Sequence, residues 1–253
     1  MRKKNMCVVV CRDMLTQIRN YKWFKSNKDN GSITFFWVIY FLCIMPLIWD
    51  AFENIKTAVL YFAFAIAFVF SMLLGTICPM RLPKIMYLCP MEAEERRKYL
   101  LTSYVTKVLL SILLSCILEA VPYALGYVTW YSAFMAVFSI AMLSISINMA
   151  GGDRAFQPSD TKDRALKKRC SGYTGWLIGQ QIYAVFYFIV MFVGQEMTSE
   201  KNIPWAALVF YMISTVINLF LTLKLLTFFK GTLAVLMNYE TVYETEEARK
   251  VTA

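Results

Sequence analysis

Between Ile33 and Phe229 the chain lays out six long, almost uncharged apolar stretches, and most of its lysines and arginines precede the first or fall in every second gap between them. A membrane-crossing helix needs about 20 apolar residues to span a hydrocarbon core of about 30 Å. The pattern therefore predicts spans at 33–49, 57–78, 106–125, 131–150, 175–194 and 205–229. The third and fourth come from one apolar stretch, 108–152, interrupted only by Glu119 and divided at Leu125-Gly126-Tyr127 because it is twice a membrane thickness.

Short loops rich in Lys and Arg stay on the cytoplasmic side. The first thirty residues carry eight basic residues; the gap after the second span carries Arg81, Lys84, Arg96, Arg97 and Lys98; the gap after the fourth carries Arg154, Lys162, Arg164, Lys167, Lys168 and Arg169. Of the other three gaps, one holds Lys56, one holds none and one holds Lys201. Both termini are thus expected in the cytoplasm, with the chain in the cytoplasmic membrane. Trp49, Trp130 and Trp205 fall at expected outer ends, and Trp23, Trp37 and Trp176 near inner ones, where indoles favour the headgroup level.

A hydrophobic fraction of 58% over 253 residues fits a single all-α integral membrane domain, with residues 230–253 as a cytoplasmic tail and no room for a separate soluble domain. The net charge of +9 is divided among segments flanking membrane helices. That division points to anionic lipid, not nucleic acid, as the partner. The seven cysteines lie in expected spans or on the cytoplasmic side, which argues against a disulfide framework. With no histidine and no CxxC pair, no metal site is expected. The basic start resembles a signal peptide, but Val8 to Cys11 is too short for its core and Arg12 and Asp13 interrupt it, so retention is expected.

Two cytoplasmic segments carry more than topology. Cys7, Cys11, Met14, Leu15, Ile18 and Tyr21 recur at helical spacing, with Arg12, Arg19 and Lys22 opposite them, which predicts an amphipathic helix at the inner interface within residues 1–30. Between the second and third spans, Pro90 suits a first helical position, and Glu92, Glu94 and Glu95 complement the positive helix end. Arg96, Arg97 and Lys98 follow, making favourable i, i+4 pairs of Glu92 with Arg96 and Glu94 with Lys98. A short charged cytoplasmic helix before the third span is expected, a surface suited to docking a cytosolic protein; the structural alternative is a loop that merely obeys the charge rule.

At this segment the chain resembles the permease subunits of ABC-2-type transporters, in particular small bacterial six-helix permeases. Those carry an amphipathic elbow helix before the first span and a cytoplasmic coupling helix between the second and third. Leu88-Cys89-Pro90, the charged run Glu92 to Lys98, Tyr99 and Lys107 occupy comparable places here. Met91-Glu92-Ala93 departs from the Ser-containing turn of many such permeases, and the 151–171 loop is longer than theirs. The resemblance implies an exporter subunit with no enzymatic activity or cofactor of its own. ATP would bind a separate ATPase subunit docked on Pro90, Met91, Glu92, Glu94, Glu95, Arg96 and Arg97, and a second permease, identical or homologous, would complete the pathway. The chain contains no GxxxxGK[ST] phosphate loop. The alternatives are a non-transporting sensor or assembly subunit, and a secondary transporter.

Polar groups within the spans are few. Glu119, one turn before Pro122, and Asn218 are candidates to line a substrate path; the structural alternatives are an interhelical hydrogen bond for Asn218 and, for Glu119, a carboxyl satisfied by a neighbouring Tyr or kept protonated by desolvation. Asn148, Gln180 and Gln181 are expected to bond between helices, while Lys107 and Lys224, near inner ends, are expected to snorkel to the headgroups. The acidic tail from Tyr239 is expected to be solvated.

Overall fold

The computed structural model describes residues 5–20, 55–88, 91–150, 162–197, 205–239 and 242, and all regular structure among them is helical. The expected first span, 33–49, lies outside the described residues, together with Trp23, Trp37, Trp49, Cys43, Cys89, Pro90, Gly151, Gly152 and most of the acidic tail.

The described chain runs through α1 (Met6–Asn20), α2 (Ile55–Ile77), α3 (Lys84–Leu88), α4 (Ala93–Ala124), α5 (Trp130–Ala150), α6 (Arg164–Arg169), α7 (Tyr173–Met197), α8 (Trp205–Thr227) and α9 (Phe229–Leu236). Among the described residues three stretches are long and apolar enough to cross a membrane: Ala93–Ala124, Trp130–Met149 and Met212–Leu236. Helices α2 and α7 cover the expected second and fifth spans within a few residues.

α5 is the central helix and packs against α2, α4, α7 and α8. Small residues one turn apart on α2 (Ala63, Ala67, Ser71, Gly75) let the helices approach closely, as they do wherever lipid leaves packing as the main attraction. A Cβ at Gly75 would lie 2.9 Å from Ile147 Cγ2 on α5. Peripheral α4 and α8 turn Leu109, Leu113, Ile117, Val216 and Phe220 outward, an apolar surface that suits lipid.

The hairpin between α4 and α5 turns where the sequence predicts. Gly126 has φ +72°, a left-handed conformation that glycine adopts without steric cost. Its amide donates to Tyr123 O and the Tyr127 amide to Pro122 O, both at 3.0 Å, the paired bonds of a Schellman cap.

One correction concerns a helix boundary. The charged segment 93–98 is not a separate short helix: it forms the first turns of α4, which continues unbroken to Ala124. Thirty-two residues span ~48 Å at 1.5 Å per residue, so one continuous helix is long enough to cross a ~30 Å core and extend well past it. The separate short helix between the expected second and third spans is instead α3. Beyond the last expected span the chain continues as α9, whose Gly231, Thr232, Leu233, Val235 and Leu236 are buried.

The ends of the bundle differ. At one end, opposite the Gly126 hairpin, a core gathers Val10 and Met14 of α1, Cys78, Met80 and Leu82 beyond α2, Leu100 and Tyr104 of α4, Tyr173 of α7, and Phe228 and Leu236 next to and within α9. We refer to this as the capped end. A second cluster, around Phe64, Ala67, Val128, Ala136, Ile140 and Ala184, fills the bundle toward the hairpin end.

Candidate functional site

The described sequence-predicted docking residues, Met91 to Arg97, sit at the start of α4, outside the capped-end core. Glu92 caps the helix in an extended conformation without a side-chain hydrogen bond to its amides. Glu94, Glu95, Arg97 and Lys98 are exposed, Met91 is half-buried, and Glu94 pairs with Lys98 at 3.3 Å. Just before them, α3 exposes Ile85 and Leu88. The surface is thus an apolar step beside a mixed-sign charged turn.

Arg96 departs from its expected role. It is half-buried, its guanidinium lies 5.8 Å from the Tyr87 ring centroid, and Nη2 donates to Tyr87 O at 3.5 Å. Tyr87 in turn donates its hydroxyl to Leu236 O and packs edge-on against Tyr239. Arg96 therefore ties α3 to α4, and Tyr87 ties α3 to α9.

A helix, α1, forms over the predicted segment and lies against α4, with Val10 and Met14 buried while Cys7, Cys11 and Leu15 of the expected apolar face are exposed. Asp13 accepts a hydrogen bond from the Tyr99 hydroxyl and a second from Gln17 Nε2 at 2.8 Å. Neighbouring bonds close the same end: Tyr104 donates to Ile145 O and Tyr173 to Met149 O, each at 3.2 Å. Lys107 is fully buried and its Nζ donates to Cys78 O at 2.9 Å, so it braces the last turn of α2 where snorkelling was expected. Lys224 is exposed and sits 5.8 Å from the Trp176 ring centroid, a geometry that suits a cation–π contact. Asp163 caps α6 by accepting from the Ala165 amide, and the thiol of Cys170, just beyond α6, is buried, which pushes its pKa up and keeps it protonated.

Beyond Lys107 toward the hairpin end the buried face of α4 changes character. Ser111, Ser115 and Glu119 follow at four-residue intervals, with exposures of 0%, 0% and 2%. Neither serine hydroxyl and neither Glu119 carboxyl oxygen has a hydrogen-bond partner among the described residues. Ser71 on α2 and Thr222 on α8, by contrast, each donate to the carbonyl one turn back. Pro122, also buried, has no amide proton for the Leu118 carbonyl, so the helix leaves one more acceptor in this turn.

Asn218 is fully buried on α8 with both polar side-chain atoms unpartnered among the described residues. One turn on, Thr222 meets Gln180, whose Nε2 donates to Met142 O at 3.1 Å and lies 3.4 Å from Thr222 Oγ1. Gln180 thus makes the expected interhelical bonds, whereas Asn148 bonds back to Ser144 O within α5. Glu119 on α4 and Asn218 on α8 sit on two helices that both pack against α5.

The sequence reading overlooked Ser111 and Ser115, although the signal is present: Tyr99, Ser103, Lys107, Ser111, Ser115 and Glu119 recur every fourth residue on an otherwise apolar helix. Among the described residues no group of three His, Cys, Asp or Glu side chains could hold a metal ion, and the cysteines are free. Comparison of the chain with protein-family models, with curated proteins and with solved structures finds no match.

Proposed function

We propose that the chain is the membrane-spanning permease subunit of an ABC-type exporter, with six spans, both termini in the cytoplasm and a separate ATPase docked at the capped end. The observation that carries this reading is the continuity of α4: the exposed charged turn at Glu92 to Lys98 and the span beyond it are one helix. A push on that turn is transmitted along a rigid rod and does not dissipate in a loop. α1, α3 and α9 brace the rod near its entry through Asp13, Arg96 and Tyr87. Closure of an ATPase dimer beneath two permease subunits would then tilt the spans between inward- and outward-open states.

Substrate would cross at the interface of two permeases. The docking surface on this reading comprises Ile85, Leu88, Pro90, Met91, Glu92, Glu94, Glu95 and Arg97, with Arg96 acting as an internal brace. The test is affinity purification of the tagged full-length chain from its native membranes, with identification of every co-purifying subunit. An ABC ATPase should be recovered with the unaltered chain. It should be lost from a variant carrying Glu94→Lys, Glu95→Lys and Arg97→Glu, exposed positions whose reversal leaves membrane yield unchanged. Absence of any ATPase, or equal recovery with both chains, would refute the assignment.

A further inference from the structure

We propose that Glu119 and Ser115, with Ser111 one turn away, form a binding site for an alkali cation, Na⁺ in first place, on the buried face of α4. Residues four apart on a helix are separated by about 6 Å along the axis and about 40° around it. Ser111, Ser115 and Glu119 therefore stay within one arc of about 80°, on the face that is buried. Helical side chains lean toward the N-terminus, which brings the Glu119 carboxyl back toward the Ser115 turn.

The chemistry of the unpartnered atoms is one-sided. All are oxygens: two carboxyl oxygens and two hydroxyls, each a ready acceptor. Buried polar groups are rarely left without partners, and a group that has none calls for a water or an ion. Lys107 does not supply the compensating charge, because it lies about 18 Å along the helix from Glu119 and its Nζ points to Cys78 O. Hard oxygen ligands with one carboxylate suit an alkali or alkaline-earth ion better than a transition metal. A single carboxylate matches a single positive charge, and a divalent ion would remain half-neutralised in a low-dielectric site. The ion would take Glu119 and Ser115 directly, reach Ser111 through water, and complete its shell with further waters.

The inference stands apart from the ATPase reading, since it concerns the interior of α4 and not the surface at its start. The test is thermal unfolding of the purified full-length chain in lipid nanodiscs, in NaCl, KCl and N-methyl-D-glucamine chloride at one fixed ionic strength. Na⁺ should raise the midpoint by a saturating few degrees over N-methyl-D-glucamine, and ²²Na⁺ should bind with the same concentration dependence. Glu119→Gln should abolish both responses. Ser115→Ala should shift the Na⁺ dependence upward by on the order of tenfold. Should Glu119→Gln fail to fold, the paired Ser111→Ala and Ser115→Ala variant carries the same test. Equal midpoints in all three salts, or a sodium response untouched in Glu119→Gln or in the paired serine variant, would overturn the proposal.

Discussion

The two halves of α4 solve the same problem in opposite ways. Near the capped end its buried polar groups are partnered: Tyr99 with Asp13, Tyr104 with Ile145 O and Lys107 with Cys78 O. Toward the hairpin end, Ser111, Ser115 and Glu119 are as deeply buried and have no partner among the described residues. Satisfied polar groups lock elements together, whereas unsatisfied ones cost stability and are kept where something else needs them. The first half is built as an anchor, the second as a place for a guest.

The comparison can be broken by substitution. Leu100 is fully buried in the capped-end core, and Leu100→Ala should cost about 3 kcal/mol, whereas Ser115→Ala, which removes an unpaired hydroxyl, should be neutral or stabilising in sodium-free detergent. Equal losses in chemical or thermal unfolding would remove the distinction between anchor and guest site. Gly75→Ala should cost about 1–3 kcal/mol through overpacking against Ile147, and Ile147→Ala in the same chain should recover part of it. Failure of that rescue would place the strain elsewhere.

A smaller effect is expected at the α1 contact. Tyr99→Phe removes one hydrogen bond to a half-buried carboxylate, a loss of about 1.5 kcal/mol. A double-mutant cycle with Asp13→Asn should show that the two losses are shared and not additive. The smallest effect belongs to the docking surface. Glu94→Gln breaks a solvent-exposed pair with Lys98 and should change stability by no more than about 0.5 kcal/mol, so any loss of ATPase recovery in that variant reports on docking alone.

The long-range order of this fold is legible in its sequence because burial in lipid leaves a coarse record. Uncharged stretches mark α2, α4, α5, α7 and α8, and Leu125-Gly126 marks the hairpin because only a flexible residue fits φ +72°. Detail at the capped end is less legible. Whether Ala93 begins a separate helix or the first turn of α4 depends on the absence of a break between Lys98 and Lys107, and with neither Gly nor Pro in that interval the helix runs through. Lys107 has the position of a snorkelling lysine, and only tertiary packing, which puts Cys78 O within reach, turns it inward. Arg96 is likewise indistinguishable in sequence from Arg97, and it is the nearby Tyr87 that separates brace from surface. The orphaned serines are visible as a four-residue period, but their lack of partners is a property of three dimensions.

The permease reading assumes that the capped end of α4 faces the cytoplasm and the hairpin end faces out. The most direct test is paired labelling with a membrane-impermeant maleimide in a cysteine-free chain carrying either Glu95→Cys or Leu125→Cys, both exposed positions at opposite ends of one helix. Intact cells should label the Leu125→Cys chain at once and the Glu95→Cys chain only after permeabilisation. The reverse order, or equal labelling of both in intact cells, would contradict the account.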